Sequence, residues 1–111
     1  MASARPQARK KLSVVIPAYN KVGTILGVIR RAQAADIGDL DSEVIVVDDA
    51  SVDATYECLL KATGIKAIRH EHNKGKGGAV KTGIVAATGD IVSAAFVDGD
   101  LDDRARCYLR A

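Results

Sequence analysis

"EVIVVDDASVDAT", residues 43 to 55, is the stretch that decides how this chain folds. Val44 to Val47 are apolar without alternation, and the run ends on two carboxylates, Asp48 and Asp49. A strand apolar on both faces needs cover on both faces, which is how parallel strands lie between helices. A helix follows, expected from Ala54 to Ala62 with Leu59 and Leu60 turned inward. Ser51 or Asp53 can accept a backbone N–H at its start.

The same grammar recurs on either side. "LSVVI" (Leu12 to Ile16) and "IVSAAFV" (Ile91 to Val97) are continuous apolar runs, and "KAIRH" (Lys66 to His70) is a shorter strand candidate. Ile25, Leu26, Ile29 and Ala32 recur at helical spacing, with Arg30, Arg31 and Gln33 opposite. Ala79, Val80, Ile84 and Ala87 form a small-residue stripe on a helix expected from Gly78 to Thr88. Gly89 is the expected left-handed cap of that helix. The order β-α-β-α-β-α-β predicts an α/β fold with a parallel sheet. "RARCYLRA", residues 104 to 111, reads as a short helix at most.

With 111 residues the chain makes one small domain, expected over residues 12–111 after a flexible basic terminus at 1–11. A net charge of +2 gives no argument for nucleic acid. Arg5, Arg9, Lys10 and Lys11 read as a solvated end, with contact to anionic lipid as the minor alternative. Cys58 and Cys107 lack metal-ligand spacing and fit a reducing compartment. There is no secretory leader and no apolar run near the ~20 residues of a membrane span. The expectation is therefore a cytoplasmic protein.

Ligands of open parallel sheets bind beyond the carboxyl ends of the strands. The unusual residues fall there: Pro17-Ala18-Tyr19-Asn20, Asp48 to Asp53, Asn73 to Gly78, and Asp98-Gly99-Asp100. The glycines fit neither a G-x-G-x-x-G fingerprint nor a P-loop. They leave either a turn presenting Lys76 and free amides to an anion, or a plain loop with solvated lysines. Asp48 or Asp49 suits an acceptor for a nucleobase N–H, since an ionised carboxylate only accepts. The rival is helix-start chemistry, which accounts better for Ser51 and Asp53. Asp98 and Asp100 supply hard oxygen ligands for Mg2+ or Mn2+ on a diphosphate, against a plain Asp-Gly turn.

Assembled in this order, "LSVVIPAYN", "EVIVVDDASVDAT", "NKGKGGAVKTGIVAATGDIV" and "FVDGD" resemble the family 2 glycosyltransferases, from about Leu12 to Asp102. The wording is most similar to the enzymes that make polyprenyl-phosphate sugars. The resemblance implies a Rossmann-like GT-A three-layer α/β/α sandwich, here truncated. It implies a UDP- or GDP-hexose donor, a divalent metal, inversion at the anomeric carbon, and a polyprenyl-phosphate or glycan acceptor. Such an acceptor would bring the protein to the cytoplasmic face of a membrane. By resemblance, Pro17, Ala18 and Tyr19 line the base and ribose pocket, and Asp49 accepts from the base beside Asp48. Lys76 and Gly77 lie near the sugar-nucleotide. Asp98 contacts ribose or a metal-bound water, and Asp100 holds the metal.

The chain departs from the family pattern in three ways. Lys21 stands where Glu is usual and Val52 where Thr is usual, and by the resemblance the family's acceptor half is expected to be absent from this stretch. An open pocket wall implies weak donor binding and little transfer by this stretch alone. Uncovered sheet surface implies self-association. Two rivals are a receiver-like Mg2+-binding signalling module and a non-catalytic remnant. The receiver requires its acidic pair after the first strand, yet a strand and helix precede Glu43.

Overall fold

The computed structural model describes residues 10–95 in full and residues 105–109 as backbone. Eight elements follow one another: β1 (Lys11–Ala18), α1 (Ile25–Ala34), β2 (Asp41–Asp48), α2 (Thr55–Lys61), β3 (Ile65–Arg69), α3 (Gly75–Ala86), β4 (Ile91–Ala95) and β5 (Ala105–Leu109). They build one sheet in the order β3-β2-β1-β4-β5. The first four strands are parallel, as the unbroken apolar runs require. β1 opens at Lys11, one residue before the expected domain boundary.

β5 corrects the reading of the last residues. Within the segment expected to be at most a short helix, Ala105–Leu109 is an antiparallel strand, pairing Leu109 with Ile91 and Ala105 with Ala95. Ala105, Cys107 and Leu109 alternate with Arg106 and Tyr108, a strand period too short to decide the element by itself, and the edge of β4 supplies the partner that settles it.

Period-2 alternation sorts the strand residues into two cores. On one face Ile16, Val44 and Val46 pack with Ile25, Val28 and Ile29 of α1 and Leu59 of α2. On the other Val15, Ile45, Val47 and Val92 meet Ala79 of α3 and Ala87 just beyond it. Three layers result, α1 and α2 over one face and α3 over the other.

Details of the helices differ from expectation. Leu59 is buried, but Leu60 points outward at 63% exposure, because adjacent helical positions cannot both face a core. α3 starts at Gly75, three residues early, so the glycine cluster is its first turn and not a preceding loop. Gly83 lets α3 lie directly on β1; a Cβ there would sit 2.2 Å from Val15 Cγ1. Gly89 is not a left-handed cap, since its φ is not positive and the capping position is Ala87 with extended dihedrals. Its role is close approach, as a Cβ would lie 2.6 Å from Ser13 Oγ and 2.7 Å from the Lys11 carbonyl oxygen.

A polar pin closes the amino end of the strands. Glu43 Oε2 accepts from Ser13 Oγ (2.6 Å) and from the Thr88 amide (2.7 Å), while Lys66 Nζ lies 3.2 Å from Oε1. Burial works against the Glu43 charge, but the Ser13 hydroxyl, the Thr88 amide and Lys66 outweigh it, and its pKa falls to about 2.

Candidate functional site

The strand order places a topological switch beside β1. The chain moves from β1 outward to β2 and β3, then crosses back to β4 on the other side of β1. Ligands of such sheets sit at the carboxyl ends near that point. A cleft of about 410 Å3 is found there, walled by Pro17, Ala18, Tyr19 and Lys21 after β1, by Asp49 after β2, and by Asn73, Gly75, Lys76 and Ala79 at the start of α3.

Asp49 organises the cleft. Its amide donates to the Ala18 carbonyl (2.8 Å), which locks the end of β2 against β1. Its Oδ1 accepts from the Lys74 amide (2.8 Å) and its Oδ2 from the Gly75 amide (2.8 Å). His70 Nδ1 stands 2.8 Å from the same Oδ1. Asn73 Nδ2 donates to the Asp49 carbonyl at 3.2 Å. The amides expected to be free for an anion are thus held by Asp49, which caps α3 from another strand. Three of the roughly four acceptor positions of a carboxylate are filled, leaving one, on Oδ2. Burial opposes the Asp49 charge, yet the His70 ring and the two amides outweigh it and lower its pKa.

Asp48 goes elsewhere. Alternation turns it to the α1–α2 face, where it is fully buried and does not line the cleft. Its Oδ2 accepts from the Ser51 amide (3.3 Å) and lies 3.5 Å from Arg69 Nε, while Oδ1 has no partner among the described residues. Arg69 in turn covers the Tyr56 ring at 4.7 Å. Helix-start chemistry holds in part for the neighbouring residues. Asp53 Oδ1 accepts from the Thr55 amide (2.9 Å) and from its hydroxyl. Thr55, through that hydroxyl and then its amide, lowers the Asp53 pKa against a small opposing burial effect. Ser51 instead accepts from the Asn20 amide at 2.8 Å.

Those contacts stitch two loops together. Asn20 Oδ1 accepts from the Val52 amide (2.9 Å), and the Lys21 amide donates to Thr55 Oγ1 (2.9 Å). Asn20 and Ala50 hold positive φ, +52° and +65°, to make the crossing. Val52, lacking the expected hydroxyl, is 86% exposed and contributes only its backbone.

Of the residues named from sequence, Pro17, Ala18, Tyr19, Asp49 and Lys76 come together in the cleft. Gly77 sits on the first turn of α3 outside the lining, with open space where a Cβ would be. Asp98 and Asp100, the expected metal ligands, lie outside the described residues. Among the described residues, no cluster of three or more His, Cys, Asp or Glu side chains could hold a metal ion. Sequence reasoning gave no role to Asn73 and His70, and left Lys21 between weakening nucleotide binding and contacting a phosphate. Asn73 stood beside the glycine cluster, but a lone His at the end of a weak strand carries no spacing signal. No helix among the described residues is long and apolar enough to cross a membrane.

A three-layer α/β domain with a cleft at its switch point defines a broad class of ligand-binding folds. Within that class the chain belongs to glycosyl transferase family 2, whose model matches residues 13–105. It is 35% identical over 103 residues to dolichyl-phosphate beta-glucosyltransferase of Mus musculus, covering 81% of this chain and 32% of the relative. To undecaprenyl-phosphate 4-deoxy-4-formamido-L-arabinose transferase of Enterobacter sp. it is 34% identical, covering 87% and 31%. The chain spans about a third of the length of the curated relatives it matches. Among solved structures, mannosyltransferase PcManGT from Pyrobaculum calidifontis, in complex with GDP-Man and Mn2+, superposes with a TM-score of 0.72 at 26% identity. That match covers 85% of this chain and 29% of the other. Glucosyl-3-phosphoglycerate synthase from Mycobacterium tuberculosis, with Mn2+, UDP and phosphoglyceric acid, matches with a TM-score of 0.65 at 34% identity, covering 80% and 33%. The fold is the GT-A fold of these glycosyltransferases.

Proposed function

We propose that this chain is the donor-binding part of an inverting glycosyltransferase that uses a nucleoside-diphosphate hexose. The cleft at the switch point is the observation that carries the reading. Its size suits a nucleotide, and it joins an aromatic and apolar wall at Pro17 and Tyr19 to an acceptor at Asp49 and cations at Lys21 and Lys76. Tyr19 and Pro17 would pack on the base, and the open acceptor position of Asp49 would take a base N–H. Lys21, where the family has an acid, would face the diphosphate. Asp98 and Asp100 would hold Mg2+ or Mn2+, which supplies Lewis-acid neutralisation of the leaving diphosphate when bound. Asp98 follows β4, whose Ala94 pairs with Val15 and which runs parallel to β1 toward the same rim.

The acceptor in this reading is a polyprenyl phosphate or a glycan; the names of the two relatives, with dolichyl phosphate and undecaprenyl phosphate, support the first. A phosphate acceptor is already an anion and needs little help from a base. Such a lipid would draw the protein to the cytoplasmic face of a membrane. Self-association, read by light scattering, would cover the apolar groove of about 320 Å3 between α1 and β4, lined by Val14, Val28, Ala32 and Ala95.

A thermal-shift panel of UDP and GDP, each with and without Mn2+, tests donor binding. Metal-dependent stabilisation is expected, by about 2.7 kcal/mol at one hundred times Kd. No shift with either nucleotide at millimolar concentration overturns the reading.

A further inference from the structure

Asp49 is the only carboxylate among the described residues that line the cleft, and most of its accepting capacity is already used. Oδ1 takes the Lys74 amide and stands against His70 Nδ1, each at 2.8 Å. An ionised carboxylate only accepts, so the ring nitrogen is the donor in that contact. Both lone pairs of Oδ1 are thereby committed. Oδ2 takes the Gly75 amide at 2.8 Å, which leaves it one lone pair. The Asp49 carboxylate therefore has room for one further N–H and no more.

Around that lone pair the cleft offers mainly donors. Asn73 turns its Oδ1 to the Gly75 amide (3.1 Å) and one Nδ2 hydrogen to the Asp49 carbonyl (3.2 Å). Its second Nδ2 hydrogen remains for a ligand. Lys21 and Lys76 add N–H donors to the lining. The Tyr19 hydroxyl can act in either sense and so does not discriminate.

The pairing edges of the bases differ in this respect. Uracil presents one ring N–H between two carbonyl oxygens. Guanine presents one carbonyl, a ring N–H and an amino group, so that two donors stand side by side. An acid with both oxygens open could take those two N–H groups at once; Asp49, as it is held here, cannot. We infer that the cleft selects uracil over guanine, and that the donor is a uridine-diphosphate sugar. The inference deepens the donor-binding reading and rests on it. The Lys74 and Gly75 amides and His70 thus do more than hold α3 in place. By occupying Asp49 they set how many N–H groups a base can bring.

Calorimetry on the full chain with Mn2+ compares four diphosphates: UDP, its N3-methyl derivative, GDP and inosine diphosphate. Hypoxanthine, the base of the last, keeps the size, ring N–H and carbonyl of guanine but lacks the amino group. UDP is expected to bind about tenfold more tightly than GDP, because a donor left without an acceptor costs its desolvation. N3-methyl-UDP should bind about tenfold more weakly than UDP, since the last Asp49 lone pair then goes unanswered. Inosine diphosphate should fall between UDP and GDP, which separates the amino group from the size of the ring. Amide NMR locates the contact: UDP is expected to shift the Lys74 and Gly75 signals, and N3-methyl-UDP to shift them less. Four results overturn the inference and leave the donor-binding reading standing. They are GDP binding as tightly as UDP, inosine diphosphate binding no better than GDP, N3-methyl-UDP binding like UDP, and UDP binding with the Lys74 and Gly75 signals unmoved. A chain that binds none of the four at millimolar concentration sinks the donor-binding reading, and the base preference with it.

Discussion

Gly83 is a position where a single methyl group would disturb the fold. Its would-be Cβ overlaps Val15 Cγ1 at 2.2 Å, and Val15 is fully buried in the middle of β1. Ala favours a helix over Gly by about 1 kcal/mol, but overpacking a buried seam costs about 1–3 kcal/mol. Gly83→Ala is expected to lose about 2 kcal/mol in urea denaturation, whereas Gly77→Ala, with nothing within 4 Å, is expected to be neutral or to gain. Such contrasts mark where the sequence was legible. Val44 to Val47 announced a doubly covered strand because burial on both faces leaves no other pattern. Five of the nine candidate site residues met in one cleft because strand ends share a rim. Asp48 could not be told from Asp49 in advance, since one step of alternation sends its carboxylate to the opposite face. His70 and Gly89 were hidden because their roles depend on partners 12 and 76 residues away.

Glu43 belongs to the scale of elements, because it ties β1, β2, β3 and the turn before β4 at one point. Its pKa is lowered from 4.5 to about 2 in the folded chain. A depressed carboxylate stabilises the fold above its unfolded pKa and loses that contribution as pH falls through the folded value. Stability is therefore expected to decline between about pH 4.5 and pH 2, by up to about 2 kcal/mol once solvent screening is allowed for. Glu43→Gln should flatten that limb in denaturation measured at several pH values, while lowering stability at neutral pH. The β5 strand carries the complementary lesson. Ala105, Cys107 and Leu109 already stand at strand period, but so short a run declares itself only against the edge of β4 that pairs with it.

At the scale of the molecule, Asp49 is the node through which β2, β3, α3 and the cleft depend on one another. Asp49→Asn keeps the volume but presents an N–H to amides that need an acceptor. Leaving buried donors unpaired costs about 1–3 kcal/mol. A loss of about 2 kcal/mol is expected in thermal unfolding, together with loss of the Mn2+-dependent stabilisation by UDP or GDP. Retained nucleotide response in a destabilised but folded Asp49→Asn chain would separate the cap from the binding role. The bonds from Asn20, Lys21 and Val52 across to Ser51 and Thr55 bear on engineering of the rim. Two turns separated by some thirty positions behave as one jaw. A graft that replaced only one of them in a relative would strand its counterpart's donors and acceptors. Altering donor preference here calls for exchanging both as a matched set.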